Sequence, residues 1–322
     1  MSPTFVLPDV HGDYDKALRA LALTGVVDAS TGEWVAAAGT VVVQLGDQVD
    51  SLPRDPALAV QHRGPADCAR AIENDLAVVR LFDGLADAAA RAGCAAVSLL
   101  GNHEMMNLAG DVRYADVCAA CSGARVAAFR PGGDVARALS RRPVVARCDG
   151  VLYAHAGLTP GFAARHGGDM DALNAAVARF LRGGGDPNDA AAFRACLNDA
   201  DGPCWTRAYA PKDHETSDRG VTRMLARCGC SMMVVGHNAH VGPGRGVTPA
   251  HAGRVWVLDP GMSASVLGSA PAALRVDRRE RVQRVVRGGR VDRTIGSAIG
   301  STIGSTIGSG GSVYEVRVLR ER

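Results

Sequence analysis

The sequence is short of aromatic residues, which make up 4% of its 322 positions, so Val, Leu and Ala must fill whatever core it builds. It has no uninterrupted apolar run near the roughly 20 residues of a membrane helix, and no such span is expected. Met1 to Val10 shows neither a basic leader nor a long apolar stretch and already reaches a carboxylate at Asp9, so no export signal is expected. The expected location is cytoplasmic. An excess of one charge is missing too, since 36 Lys+Arg against 33 Asp+Glu leave a net +3. With the basic residues dispersed, a dedicated nucleic-acid binder is not expected. Charged residues at 21% and hydrophobic ones at 47% are ordinary globular values and exclude a disordered chain.

A paired cysteine framework is also absent. Nine cysteines are an odd number and, without an export signal, read as reduced thiols. The local pairs Cys118–Cys121 and Cys228–Cys230 lack two further ligands at zinc-site spacing, so they read as small buried hydrophobes.

What the sequence does contain is a recurring grammar of strand, polar break and helix. Thr4 to Val10 is apolar and β-rich, His11-Gly12-Asp13 breaks it, and Ala17, Leu18 and Leu21 follow at helical spacing. Thr40 to Leu45 ends in Gly46-Asp47, and Ala95 to Leu100 ends in Gly101-Asn102-His103-Glu104. Between them Ala66 to Ala92 reads as one or two helices. Further strands are expected at Val144–Val145, Val151–Ala154, Met232–Val235 and Arg254–Leu258, and near the end at Arg281–Val286 and Ser312–Leu319. Apolar strands alternating with helices define an α/β class. The chain reads as a single domain over 1–322, with a low-complexity loop at 294–312 built from near-copies of Thr-Ile-Gly-Ser. A glycine at every fourth residue there opposes a helix and suits an elongated hairpin loop.

Several of these strands end in a group able to bind a metal. Asp9 and His11 lie two apart, Asp47 and Asp50 follow the second strand, Asn102 and His103 the third, His155 another, and His237 follows through Gly236. Sites in open α/β sheets form beyond the carboxyl ends of strands, so these points are expected to converge. Carboxylates, imidazoles and one amide oxygen suit a pair of divalent ions better than a thiolate site would. Taken singly, Asp9 and Gly46-Asp47 read equally as turn residues, and His155 or His237 as a structural histidine. Structural turns have no reason to choose only ligand types.

Asp9-x-His11-Gly12, Gly46-Asp47-x-x-Asp50, Gly101-Asn102-His103-Glu104, His155-Ala156-Gly157 and Gly236-His237 resemble, in this order, the signature of the calcineurin-like metallophosphoesterases, and more narrowly of their phosphoprotein phosphatase branch. Glu104 to Leu108 with Arg113-Tyr114, Gly202-Pro203-x-Trp205-x-Arg207, and Asp259-Pro260-Gly261-Met262-Ser263 are similar to the Shewanella-like protein phosphatases. The resemblance implies a sandwich of two mixed β-sheets flanked by helices. It implies Asp9, His11 and Asp47 at one metal, with Asp47 bridging to a second that Asn102, His155 and His237 complete. The metals implied are Mn, Fe or Zn, and the nucleophile a hydroxide held between them and attacking phosphorus in line. His103 then resembles the general acid and Asp50 its partner, while Arg207, with Asn102 and His103, takes the phosphoryl group. The implied substrate is a phosphoprotein carrying phosphoserine/threonine or phosphotyrosine. Two alternatives remain open, a nucleotide phosphoanhydride hydrolase of the dinucleoside tetraphosphate type and a non-catalytic phosphate-binding scaffold.

Three departures stand out. The family's Asp-Arg-Gly is Asp50-Ser51-Leu52-Pro53-Arg54 here, its Gly-His-Thr is Gly236-His237-Asn238, and Pro8 replaces a glycine before Asp9. Arg54 either reaches back to the phosphate or is a solvated loop charge. Among the remaining histidines, His62, His166, His214 and His251 read as surface residues and His240 as a non-catalytic neighbour of the cleft. Met105–Met106 reads as packing beneath the Asn102 loop, and Arg275 to Arg293 as a strand with one solvated face.

Overall fold

Short runs of β-branched and aliphatic residues form the strands, because such side chains pack well on a pleated surface. The computed structural model describes residues 2–28, 30–55, 65–115, 119–210, 216–241, 244–280, 301–307 and 312–320. Strands β1 (Thr4–Leu7), β2 (Val41–Gln44) and β3 (Ala95–Ser98) lie parallel, with Thr4 opposite Val41 and Val41 opposite Ala95. The second sheet holds β4 (Val145–Cys148), β5 (Val151–Ala154), β6 (Met232–Val235), β7 (Val247–Ala250) and β8 (Val255–Leu258) in the order β4-β5-β6-β8-β7. There β5, β6 and β8 are parallel, and β4 and β7 close the edges antiparallel. Antiparallel β9 (Ala272–Glu280), β10 (Ser301–Ile307) and β11 (Ser312–Arg320) return to the first sheet, whose order is β10-β11-β9-β1-β2-β3.

The inner faces pack on each other through Val6, Val43 and Leu99 from one sheet and Tyr153, Val234 and Trp256 from the other. Helices α1 (Tyr14–Thr24) and α2 (Pro65–Arg91) cover the outer face of the first sheet, with Leu21 and Phe82 packed against Phe5 and Val42. The second sheet is covered by α3 (Asn102–Leu108), α4 (Ala119–Phe129), α5 (Asp134–Leu139), α6 (Pro160–Arg165), α7 (Met170–Leu181), α8 (Pro187–Asn198) and α9 (Asp218–Arg227), whose Phe129, Phe162, Val177 and Val221 meet Leu152, Met233 and Val257. This is the expected sandwich of two mixed sheets flanked by helices. Among the described residues no helix is long and apolar enough to cross a membrane.

Several local expectations change. Of the one or two helices expected over Ala66–Ala92, there is one, Pro65–Arg91. Strand β7 escaped notice because Pro249 weakens its pattern, yet an edge strand tolerates a missing N–H. Part of the Thr-Ile-Gly-Ser tract is not loop: Ser301–Ile307 pairs with β11. Its Thr and Ile suit a strand, and the register shifts between Thr302 and Gly304, as a glycine-containing bulge permits. The expected strand Arg281–Val286 lies outside the described residues, whereas the Arg-containing run before it is β9.

Candidate active site

Six parallel strands, three from each sheet, deliver the site. Asp9 and His11 follow β1, Asp47 and Asp50 follow β2, Asn102 and His103 open α3 after β3, His155 follows β5, His237 follows β6, and Asp259 follows β8. All of these side chains are buried or nearly so. His11, Asp47, Asp50 and His237 hold left-handed backbones, with φ of 47°, 51°, 75° and 66°. Such conformations cost a non-glycine residue energy and concentrate at functional sites. The loops approach so closely that only glycine fits at two points. A Cβ at Gly101 would lie 2.1 Å from Asp47 Oδ1, and one at Gly236 would lie 2.4 Å from Asp9 Oδ1.

His155 sits at the centre. Its Nδ1–H is directed at the Leu45 carbonyl, 2.9 Å away, which leaves the lone pair on Nε2. Nε2 then stands 2.9 Å from Asn102 Oδ1, 3.1 Å from His237 Nδ1 and 3.2 Å from Asp47 Oδ2. His237 Nδ1 is also 3.0 Å from Asn102 Oδ1. Across Asp47, His11 Nε2 lies 3.8 Å and His103 Nε2 3.9 Å from Oδ2. Two groups, His11–Asp47–His103 and Asp47–His155–His237, are thus compact enough to hold a metal ion, and they share Asp47. Asp9 Oδ1 and His237 Nε2 are buried without a hydrogen-bond partner among the described residues. Crowded lone pairs and a buried carboxylate oxygen without a hydrogen-bond partner among the described residues fit cations.

The electrostatics agree. Burial raises the Asp9 carboxyl well above its ordinary value, reinforced by the Asp259 and Asp47 charges. Burial would also raise Asp47, but the facing imidazoles of His155 and His103 pull it well below the usual range. His11 is pushed down to about 3 by burial and then by His103, and His237 falls well below normal through burial and His155. Neutral His11 and His237 beside an ionised Asp47 are the forms a metal requires. Asp9, raised by burial, and His155, which burial would lower but the Asp47 carboxylate raises, favour their protonated forms until a cation takes the proton's place.

His103 behaves differently. Its Nδ1 meets Asp50 Oδ2 at 2.7 Å, and although burial alone would lower it, the Asp47 and Asp50 carboxylates raise its pKa. Arg54 turns inward rather than into solvent. Its backbone N–H donates to Ser265 O at 2.7 Å, its guanidinium stacks 4.8 Å over the Tyr114 ring, and Nη2 lies 3.3 Å from His103 Nε2 and 3.5 Å from His11 Nδ1. Arg207 Nη1 donates to Asn238 Oδ1 at 3.0 Å, so the residue that departs from Gly-His-Thr holds this arginine. Arg54 and Arg207 line one cavity of about 270 Å³ together with His11, Asp47, Asn102, His103 and His237. Tyr114, Trp205 and Arg207 also line a neighbouring groove of about 970 Å³.

Every singled-out site residue lies in or directly behind this cleft. Other histidines differ from expectation. His251 is buried, with Nδ1 2.7 Å from Asp218 Oδ1 and Nε2 3.3 Å from Thr216 Oγ1, because its polar partners come from the distant α9 segment. His166 is half-buried and stacked on Phe162, while His62 and His214 lie outside the described residues. His240 bonds Asn238 O and Thr248 Oγ1, each at 2.8 Å, away from the ligands. Cys228 and Cys230 are buried free thiols, and Cys118 lies outside the described residues. Met105 and Met106 pack in the core as expected.

Sequence reasoning quoted Glu104 without a role. Its carboxylate accepts from the backbone N–H of Gly101, Asp47 and Gln48 at 2.8, 2.9 and 2.7 Å, stitching two ligand loops together. Asp75 and Arg125, buried behind Asp50, were missed altogether. They lie inside Ala-rich helical stretches, and no local signal marks them.

The fold matches that of solved protein tyrosine phosphatase structures. A cold-active protein tyrosine phosphatase of a psychrophilic Shewanella species superposes with a TM-score of 0.64 and 23% identity, over 85% of this chain and 75% of that one. No family model matches. Curated proteins show similarity along the chain as well. It is 25% identical to Shewanella-like protein phosphatase 2 of Arabidopsis thaliana, over 84% of this chain and 74% of that protein. It is 27% identical to an uncharacterised protein of Schizosaccharomyces pombe, over 86% and 77%. The resemblance carried by the motifs therefore extends along most of the chain.

Proposed function

We propose that the protein is a two-metal phosphomonoesterase acting on phosphoproteins. The observation that carries this reading is the set of Asp9, His11, Asp47, Asn102, His155 and His237 gathered around one shared carboxylate, beside a histidine–aspartate pair and two arginines. Asp9, His11 and Asp47 would hold one divalent ion, and Asp47, Asn102, His155 and His237 the other, with Mn, Fe or Zn all accepting such donors. Bound there, the ions would lower the pKa of water and neutralise charge developing on the phosphoryl group.

The chain's own groups do the rest. Arg207 and Arg54, on the rim of the same cavity, present guanidinium forks to the phosphoryl oxygens. Asn102 and His103 lie against the same group. His103 carries its proton on Nε2 toward the leaving oxygen, while Nδ1–H stays on Asp50 Oδ2. The raised pKa of His103 favours the protonated imidazole this step needs. A scaffold that only bound phosphate would have no use for this pair. The adjoining groove, with Tyr114 and Trp205 at its junction and polar Thr159 and Asn198 further along, offers room for polypeptide flanking a phosphorylated side chain. That favours a phosphoprotein over a dinucleotide.

The test is hydrolysis of p-nitrophenyl phosphate with added Mn²⁺, then of a phosphotyrosine peptide, a phosphoserine peptide and a dinucleoside tetraphosphate. Turnover of phosphopeptides, lost about 10²- to 10⁴-fold in His103→Ala, supports the reading. Preference for the dinucleotide would replace it with the phosphoanhydride hydrolase. Phosphopeptide binding without turnover under any divalent ion would replace it with the scaffold.

A further inference from the structure

Behind the His103–Asp50 pair, on the side away from the cleft, lies a buried polar cluster contributed by three helices. Asp50 turns Oδ2 to His103, and its other oxygen, Oδ1, accepts from Asn107 Nδ2 at 2.9 Å and Arg125 Nη2 at 2.8 Å. The same Nη2 lies 2.8 Å from Asp75 Oδ2, which also accepts the Asp50 backbone N–H at 3.1 Å. Arg125 Nε donates to Asn107 Oδ1 at 2.6 Å, and the guanidinium lies 5.0 Å over the Phe129 ring. Arg125 and Asp50 are 0% exposed, Asn107 0% and Asp75 1%.

Burying a guanidinium between two carboxylates is costly, and an apolar side chain of similar volume would serve a core at least as well. Asp50 also holds its strained left-handed φ, which persists only where the surroundings over-determine it. Both features are explained if one orientation of the Asp50 carboxylate matters.

We infer that Arg125 is a positioning residue for proton donation by His103. With Asp75 and Asn107 it locks Asp50 so that Oδ2 takes the Nδ1–H and Nε2 is aimed at the leaving oxygen. In the step it serves, the Nε2–H bond breaks as an O–H bond forms on the leaving oxygen, the electron pair stays on Nε2, and Nδ1–H stays in place. Among the described residues, the hydrogen-bond and ion-pair partners of Arg125 are Asp50, Asp75 and Asn107, none of them a proposed metal ligand. The inference rests on the phosphatase reading.

The test uses the full chain with Mn²⁺ and two esters that share a phosphoryl group, dinitrophenyl phosphate, whose phenolate leaves without a proton, and phenyl phosphate, whose phenolate needs one. Arg125→Met should lose on the order of 10²-fold in kcat on phenyl phosphate but less than about threefold on dinitrophenyl phosphate. Arg125→Lys, which keeps the charge without the fork, should recover part of the phenyl phosphate rate and serves alone if the Met variant does not fold. Equal losses on both esters, or no loss, would overturn the inference. A second readout needs no turnover. The His103 Nδ1–H proton, assigned by its absence in His103→Ala, should resonate far downfield in the parent protein and exchange away in Arg125→Met. A resonance unchanged by the substitution counts against the inference. A parent protein inert on both esters would overturn the phosphatase reading itself, before any variant is made.

Discussion

Arg54 Nη2 stands 3.3 Å from His103 Nε2, on the opposite edge of the imidazole from Asp50. On the proposed reading, Arg54, anchored on Ser265 and Tyr114, stands in for the arginine missing after Asp50. If this guanidinium holds phosphoryl oxygens, Arg54→Ala should raise KM on the order of tenfold, the effect expected for losing one charge-assisted hydrogen bond. Arg54→Lys should recover only part of it. Steady-state kinetics on p-nitrophenyl phosphate decide, and unchanged KM and kcat would remove Arg54 from phosphate binding.

Metal removal gives a second prediction. Orphaned Asp9 Oδ1 and the lone pairs around His155 Nε2 destabilise the fold until a cation meets them. EDTA treatment should lower Tm, and Mn²⁺ should restore it. At a hundredfold excess over Kd the gain is about 2.7 kcal/mol, on the order of 5 °C for a chain this long. Asp47→Asn should abolish the Mn²⁺ response in differential scanning fluorimetry. An Asn variant that still responds fully would contradict the shared role of Asp47.

A third prediction concerns pH. Burial pushes the Asp75 carboxyl up to about 6, against the lowering effect of Arg125. Between the usual carboxylate pKa, about 4, and pH 6 the folded chain keeps a proton that the unfolded chain has released. This contribution to stability is therefore full at low pH and lost as pH rises through about 6. The stability difference between the parent protein and Asp75→Asn should shift toward the variant by up to ~3 kcal/mol between pH 4 and pH 7. Urea unfolding at the two pH values measures it. A difference that moves the other way, or stays constant, would rule out a raised Asp75.

The thiols give a fourth. Burial pushes Cys196 and Cys230 up to about 12 and Cys204 well above its ordinary range. With so little thiolate at neutral pH these sites should resist iodoacetamide in the native protein and react once it is unfolded in urea. Peptide mass spectrometry reads the outcome. Rapid native labelling of Cys196 or Cys204 would show that their surroundings open readily.

How far the site was legible follows from where its parts lie in the chain. Asp9, Asp47, Asn102, His155 and His237 each sit within a few residues of a strand's carboxyl end, so the local pattern of apolar run and polar break marked them. That pattern also defined the α/β class, because parallel strands buried on both faces read as continuous apolar runs. Asp75, Arg125 and the buried state of His251 left no such trace. A charged residue in a helix looks the same whether it faces water or another charge.

Residue types and their order along the chain determined the candidate ligands and the helix-covered sheets, since each was marked by an apolar run and the polar break that follows it. Only the tertiary structure decided that Arg54 turns inward, that Asn238 holds Arg207, and that Arg125 stands behind Asp50. Those pairings join residues dozens of positions apart. Their geometry depends on how two sheets and three helices pack, which no local stretch of chain specifies.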